Sequence, residues 1–134
     1  MCGIIGYIGA KQAKPILMDG LRRMEYRGYD SAGIVIVNSN QPTCVKRQGK
    51  IAVLEAAIGN EPLTGTLGIA HTRWATHGVP SDVNAHPHAD CSNNFYVVHN
   101  GIIENAGLLR KELLGKRHTF SSETDTEVVS HLIE

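Results

Sequence analysis

The spacing of apolar residues along this chain switches between the period of a strand and the period of a helix. Gly3 to Gly9 is a short apolar run bracketed by glycine and predicts a buried strand. From Pro15 onward, Leu17, Leu21 and Met24 share one helical face while Arg22 and Arg23 lie on another, with proline in the first-turn position. Tyr26 to Ser31, containing Gly28 and Asp30, reads as a loop. Ala32 to Val37 is an unbroken, β-branched run that predicts a second buried strand. Asn38-Ser39-Asn40 turns the chain into a more exposed strand over Thr43 to Gln48. A short helix over Ile51 to Ile58 and a strand over Thr66 to His71 follow. Thr72 to Asn93 keeps neither period, and a stretch of that kind inside a compact domain is commonly functional. Asn94 to His99 predicts another strand, closed by Asn100-Gly101, and Leu108 to Leu114 a helix. Thr124-Asp125-Thr126-Glu127 fits a capping box at the start of a last helix reaching Glu134. Strands with helices outside them predict an α+β fold or a layered sandwich.

Composition narrows the function classes more than it names one. At 134 residues the chain is long enough for one domain. Thirteen basic residues balance thirteen acidic ones, which argues against nucleic acid or an anionic membrane as partner. No run approaches the length of a membrane span. The apolar N-terminus is short and lacks a preceding basic residue, so it reads as a first strand rather than a signal peptide. Cys2, Cys44 and Cys91 are an odd number with no metal spacing, which points to a reduced, cytoplasmic chain. The last helix has no stop signal and an incomplete apolar face, so the expectation is a piece of a longer protein.

Cys2 follows the initiator Met1 and is small enough for that methionine to be removed. Processing would leave a thiol and an α-amine on one residue. An α-amine titrates near about 7.7–8.0 and can accept a proton at neutral pH, whereas a free thiol near about 8.5 benefits from such a base. An N-terminal nucleophile that serves as its own base is a known form of the activated nucleophile. Met-Cys-Gly alone reads better as one small hydrophobe at a chain end.

Five further segments change that balance: Arg27-Gly28-Tyr29-Asp30-Ser31-Ala32-Gly33, His71-Thr72-Arg73-Trp74-Ala75-Thr76-His77-Gly78, Asn84-Ala85-His86-Pro87-His88, His99-Asn100-Gly101-Ile102-Ile103-Glu104-Asn105 and Ser122-Glu123-Thr124-Asp125-Thr126-Glu127. With Cys2-Gly3-Ile4-Ile5-Gly6 they resemble, in order and spacing and over the whole chain, the class II glutamine amidotransferases, which are N-terminal nucleophile hydrolases. The likeness is greatest to the glutaminase domains of the glucosamine-6-phosphate synthase family. It implies a four-layer αββα sandwich, incomplete in this chain, with the C-terminal remainder and a sugar-isomerase domain outside residues 1–134. It implies that Cys2 attacks the glutamine side-chain amide and that Asn100 and Gly101 form an oxyanion hole. Arg73 would grip the substrate α-carboxylate and Asp125 its ammonium, while Trp74, Thr76, His77 and His86 line or close the pocket and Arg27 supports the site. Glutamine would be the substrate, the ammonia would pass to fructose-6-phosphate on the absent domain, and the full-length enzyme would be a homo-oligomer. No cofactor or metal is implied.

Each residue also has a plainer reading. Asn100-Gly101 makes turns without any chemistry, Arg73 fits a surface ion pair, and Asp125 fits a helix start stabilised by the dipole. His71, His77, His86, His88 and His99 are dense enough to consider a metal, but no cysteine or carboxylate completes an obvious ligand set. The glutaminase domains of amidophosphoribosyltransferases, asparagine synthetases and glutamate synthases also begin with cysteine. An inactive fragment that keeps only the glutamine pocket is a third reading.

Overall fold

A computed structural model describes residues 1–59, 62–75 and 78–134. The apolar run at Ala32 becomes strand β2 (Ser31–Asn38), whose first six residues are buried on both faces. It lies inside a four-stranded antiparallel sheet of order β1-β4-β2-β3, with β1 spanning Gly3–Ile8, β3 Gln41–Gln48 and β4 Leu67–Arg73. Ser39 and Asn40 both have positive φ, 49° and 65°, and join β2 to β3 in the two-residue turn that matches strand twist. The period of two then sorts the side chains. Ala32, Ile34, Ile36 and Ala70 face helices α1 (Ala13–Met24) and α2 (Ile51–Ile58), where they meet Leu17, Leu21, Leu54 and Ile58 in one aliphatic core. Each of those four large side chains is at most 2% exposed, and burying one is worth about 1.5–3 kcal/mol.

The other face of the sheet is covered by the chain after β4. Strands β5 (His88–Ala89) and β6 (Tyr96–Val97) form a two-stranded antiparallel sheet, and helix α4 (Glu127–Ile133) packs on it beside helix α3 (Ala106–Gly115). The layers therefore run helix, sheet, sheet, helix, with two strands in the second sheet among the described residues. This is the α+β layering expected from the sequence. Among the described residues, no helix is long and apolar enough to cross a membrane.

Four expectations need correction. Helix α1 begins two residues before Pro15, a position that costs no hydrogen bond because the first helical N–H groups have no partner within the helix. Strand β1 is an edge strand with alternating burial rather than a fully buried one, because β4 pairs it on one side only. The strand expected over Asn94 to His99 shrinks to two residues. Asp90 Oδ1 accepts from the backbone N–H groups of Asn94 and Phe95, both at 2.7 Å, and His99 N–H goes to His86 Nδ1 at 3.4 Å, so side chains take donors a ladder would need. The capping box is also absent. The helix is preceded by Thr126, which makes no side-chain cap bond. Thr124 Oγ1 instead pairs with His88 Nε2 at 2.8 Å, and Glu127 accepts from the N–H groups of Ser121 and Ser122 at 2.6 and 2.7 Å.

Candidate active site

The alternation of β4 decides what faces the second layer. With Ala70 turned toward α1, His71 and Arg73 point the other way. Register pairs Gly3 with Thr72, and Gly3 N–H donates to Thr72 Oγ1 at 3.1 Å, so Cys2 stands just beyond the end of β1. Trp74 N–H donates to Cys2 Sγ at 3.1 Å. The Cys2 carbonyl accepts from Arg27 Nε at 3.3 Å and from Asn100 Nδ2 at 3.2 Å. Cys2 lies next to the first residue, where freedom is ordinarily greatest, yet it is held from two sides.

Asn100 is oriented in turn by His71, whose Nε2 lies 2.8 Å from Asn100 Oδ1. An amide oxygen only accepts, so that ring nitrogen carries the proton. Burial, first among the causes, pushes His71 down to about 4, and it is neutral at physiological pH. His86 stacks on it with ring centroids 4.2 Å apart and is likewise held neutral, by burial and then by neighbouring His71, His88 and Arg73. Gly101 has φ of +157°, and a Cβ there would meet the His99 ring at 2.8 Å, so only glycine fits beside Asn100.

Arg73 is 3% exposed and Asp125 7%. Burial lowers the Arg73 pKa, and the charges of Asp30, Cys2 and Asp125 oppose that shift. Arg73 also donates to the Gly78 carbonyl at 3.1 Å, while Asp125 Oδ2 accepts from Ile103 N–H at 2.7 Å. Arg73 is thus buried rather than exposed, and Asp125 stands directly before Thr126, the N-cap of α4, where the helix-start reading also puts it. Asp30 accepts from Ala75 N–H and from the Ser31 hydroxyl, which anchors the loop leaving β4.

Cys2, Arg73, Trp74, His86, Gly101 and Asp125 line a single cavity of about 270 Å³. Asn100 adjoins it through Cys2. Trp74 is 48% exposed, edge-on to Tyr29 with centroids 5.4 Å apart. Thr76 and His77 lie outside the described residues. His99, Ile102, Thr124 and Thr126 complete the lining and were not assigned to the pocket from the sequence, although each adjoins a residue that was. A larger cavity of about 430 Å³ is lined by Val35, Val37, Leu67, Ile69 and Tyr96 and holds no charged side chain. Of these two the smaller is the polar one, and it brings together a thiol, amide donors, a buried cation and a buried anion. Among the described residues, the histidines considered for a metal do not converge on one point. His71, His86 and His88 each spend a ring nitrogen on a hydrogen bond.

Residues 63–134 match the family described as a glutamine amidotransferase domain. Over 133 residues the chain is 59% identical to a Symbiobacterium thermophilum protein named glutamine–fructose-6-phosphate aminotransferase [isomerizing], a match covering 99% of this chain and 22% of that protein. A Pyrococcus horikoshii protein of the same name is 55% identical, covering 100% of this chain and 22% of its own length. Among solved structures, B. subtilis glutamine phosphoribosylpyrophosphate amidotransferase, complexed with ADP and GMP, superposes with a TM-score of 0.83 at 29% identity, covering 99% of this chain and 29% of that one. A structure described as the allosteric regulatory enzyme of purine biosynthesis gives 0.84 at 32% identity, with the same coverage of 99% and 29%. The chain spans 22% of the length of the relatives named here.

Proposed function

Since the chain belongs to the glutamine amidotransferase domain family, we propose that it releases ammonia from glutamine, with Cys2 as nucleophile once Met1 is removed. The observation that carries this reading is the convergence on one cavity of the Cys2 thiol with a buried guanidinium and a buried carboxylate. A free amino acid presents an α-carboxylate and an α-ammonium, and Arg73 and Asp125 offer one partner for each. A guanidinium suits the planar carboxylate because it can donate twice in a fixed fork.

In the proposed reaction the freed α-amine takes the thiol proton as Sγ attacks the side-chain amide carbon. The carbonyl oxygen becomes an oxyanion facing Asn100 Nδ2 and the Gly101 N–H. Asn100 has two amide hydrogens; one serves the Cys2 carbonyl and the second remains for this task. Collapse breaks the carbon–nitrogen bond, the protonated amine returns its proton, and ammonia leaves a γ-glutamyl thioester. Water, deprotonated by the same amine, then yields glutamate and restores the thiol. Trp74 stands at the mouth of the cavity; Thr76, His77 and His86 are assigned to closing or lining it by their place in the family pattern, and Arg27 holds the Cys2 backbone.

The names of the relatives favour fructose-6-phosphate as the acceptor of the ammonia. We propose further that it is bound by a sugar-isomerase domain outside these residues, in a cytoplasmic homo-oligomer. Transfer to a phosphoribosyl acceptor is the second reading, supported by the B. subtilis solved structure at lower identity. Supplying the natural full-length protein with glutamine and either acceptor separates the two by the product formed.

A glutamine-analogue electrophile should label Cys2 once per chain. Burial pushes Cys44 up to about 11, which makes it a poor competitor. Cys2→Ala should lower turnover at least about a thousandfold, and Arg73→Lys should raise the glutamine KM about tenfold or more with little loss of stability. Label on Cys44 or Cys91, or an active protein that retains Met1, would sink the assignment.

A further inference from the structure

Away from the cavity, Cys91, His118, His131 and Glu134 bring one donor atom each to within 4.8 Å of one another. They come from three places: the loop between β5 and β6, the segment after α3, and helix α4 with Glu134, the residue that follows it. Cys91 Sγ is 3.5 Å from His131 Nδ1 and 3.8 Å from His118 Nδ1. Glu134 Oε2 is 2.9 Å from His118 Nδ1 and 3.4 Å from His131 Nδ1. A tetrahedral zinc ion, with bonds of about 2.3 Å to sulfur and about 2.0–2.2 Å to nitrogen or oxygen, spaces its ligands about 3.6 Å apart for S···N and about 3.4 Å for N···O. Three of the four distances lie close to those edges, the 2.9 Å between His118 and Glu134 is shorter, and both imidazoles offer the same nitrogen to the same point.

We propose that these four side chains form a structural zinc site. The chemistry of the donors suits the ion: thiolate and imidazole select zinc over harder divalent cations, and one thiolate with one carboxylate balances its two charges. The surroundings are those of a supported site. Thr119 points its backbone N–H at Cys91 Sγ at 3.4 Å and its hydroxyl at 3.8 Å, donors that favour the thiolate. His131 Nε2, on the far side of its ring, faces Glu127 Oε1 at 3.4 Å, and both side chains are 1% exposed. A carboxylate behind a ligating histidine sets its tautomer and orientation. Four protein ligands fill a tetrahedron, so the ion serves structure rather than catalysis. It would fasten α4 to the β5–β6 loop, and α4 begins directly after Asp125 and Thr126 of the cavity. Sequence spacing gave no sign of this, since 27 residues separate Cys91 from His118 and 40 separate it from His131.

The test uses the natural full-length protein, purified without a polyhistidine tag and reconstituted with zinc before gel filtration. Elemental analysis should find about one zinc per chain, falling below about a tenth of that in Cys91→Ser and in Glu134→Gln, whose side chain lies nearer the surface. Cobalt(II) in place of zinc should give the visible spectrum of a tetrahedral ion with a thiolate charge-transfer band. Loss of that band in folded Cys91→Ser, with circular dichroism unchanged, supports the site. If Cys91→Ser fails to fold, the cobalt spectrum of the unmodified protein and the zinc content of Glu134→Gln decide. No retained zinc, a cobalt spectrum without the thiolate band, or full zinc content in either variant overturns the proposal.

Discussion

The two layers of this molecule are held together by different forces. Beneath α1 and α2, the sheet buries leucine, isoleucine and alanine in a single aliphatic cluster. After β4, the buried aliphatic side chains among the described residues are Ala85, Leu113 and Val128, while His86, His88, Asp90, Thr124, Glu127 and His131 are buried beside them. The first layer gains from removing apolar surface from water, which has no direction and tolerates small shifts. The second is a hydrogen-bonded interior, where each bond contributes only about 0.5–1.5 kcal/mol net but an unmet donor costs more. What it gains is orientation. His71, Asn100 and Cys2 form one chain of directed contacts, and a greasy interface could not aim an amide at a carbonyl.

Substitutions can break this comparison, beginning where the effect should be largest. Leu54→Ala removes a fully buried side chain from the aliphatic layer and should cost about 2–5 kcal/mol of stability. The urea midpoint should fall while the glutamine KM of the remaining folded protein stays near its original value. A KM that changed as much as the midpoint would mean that the two layers are not separable.

Gly33→Ala probes the joint between them. A Cβ at Gly33 would run into the His86 carbonyl, a backbone atom that cannot swing away. The expected loss of stability is smaller, about 1–3 kcal/mol, but turnover should fall disproportionately because His86 stacks on His71. Equal losses in the two measurements would remove the distinction.

A third effect is graded and depends on pH. Burial lowers His71 to about 4 and His88 to about 3, against about 6.5 in an unfolded chain. Between those values the unfolded state binds more protons than the folded one, so stability falls as pH falls. That contribution is complete above about pH 6.5 and is lost progressively below it. Thermal midpoints should therefore be level from pH 7 to 8 and decline on acidification toward pH 5. A flat profile down to pH 5 would show that these rings are not held neutral as their burial implies.

How far the sequence could be read follows the same division. Helix α2 lies over the residues its pattern predicts, and the turn at Ser39-Asn40 and strand β2 are where the apolar runs place them. The stretch from Thr72 to Asn93 offered no period, and β6, which pairs with the short strand β5 there, is shortened because Asp90 and His86 take backbone donors on either side of it. Thr124 and Glu127 have the spacing of a capping box, yet each found a better partner in His88 and in the Ser121-Ser122 backbone. Cys2, Arg73, Trp74, His86, Gly101 and Asp125 could be named from their segments. That His99 and Thr126 share their cavity, with His99 Nδ1 and Thr126 Oγ1 3.2 Å apart, could not.

The amino-acid order alone determined the elements of the first layer and pointed to Cys2, a thiol beside its own potential base, as the proposed nucleophile. Both are local properties, carried by neighbours in the chain or by side chains within a turn of one another. Tertiary structure decided which distant groups meet: Asn100 with the Cys2 carbonyl across 98 positions, and Cys91 with two histidines and a glutamate. A period records which way a side chain faces, whereas a hydrogen bond or a ligand set depends on where a second segment arrives, and that is known only when the whole chain has packed.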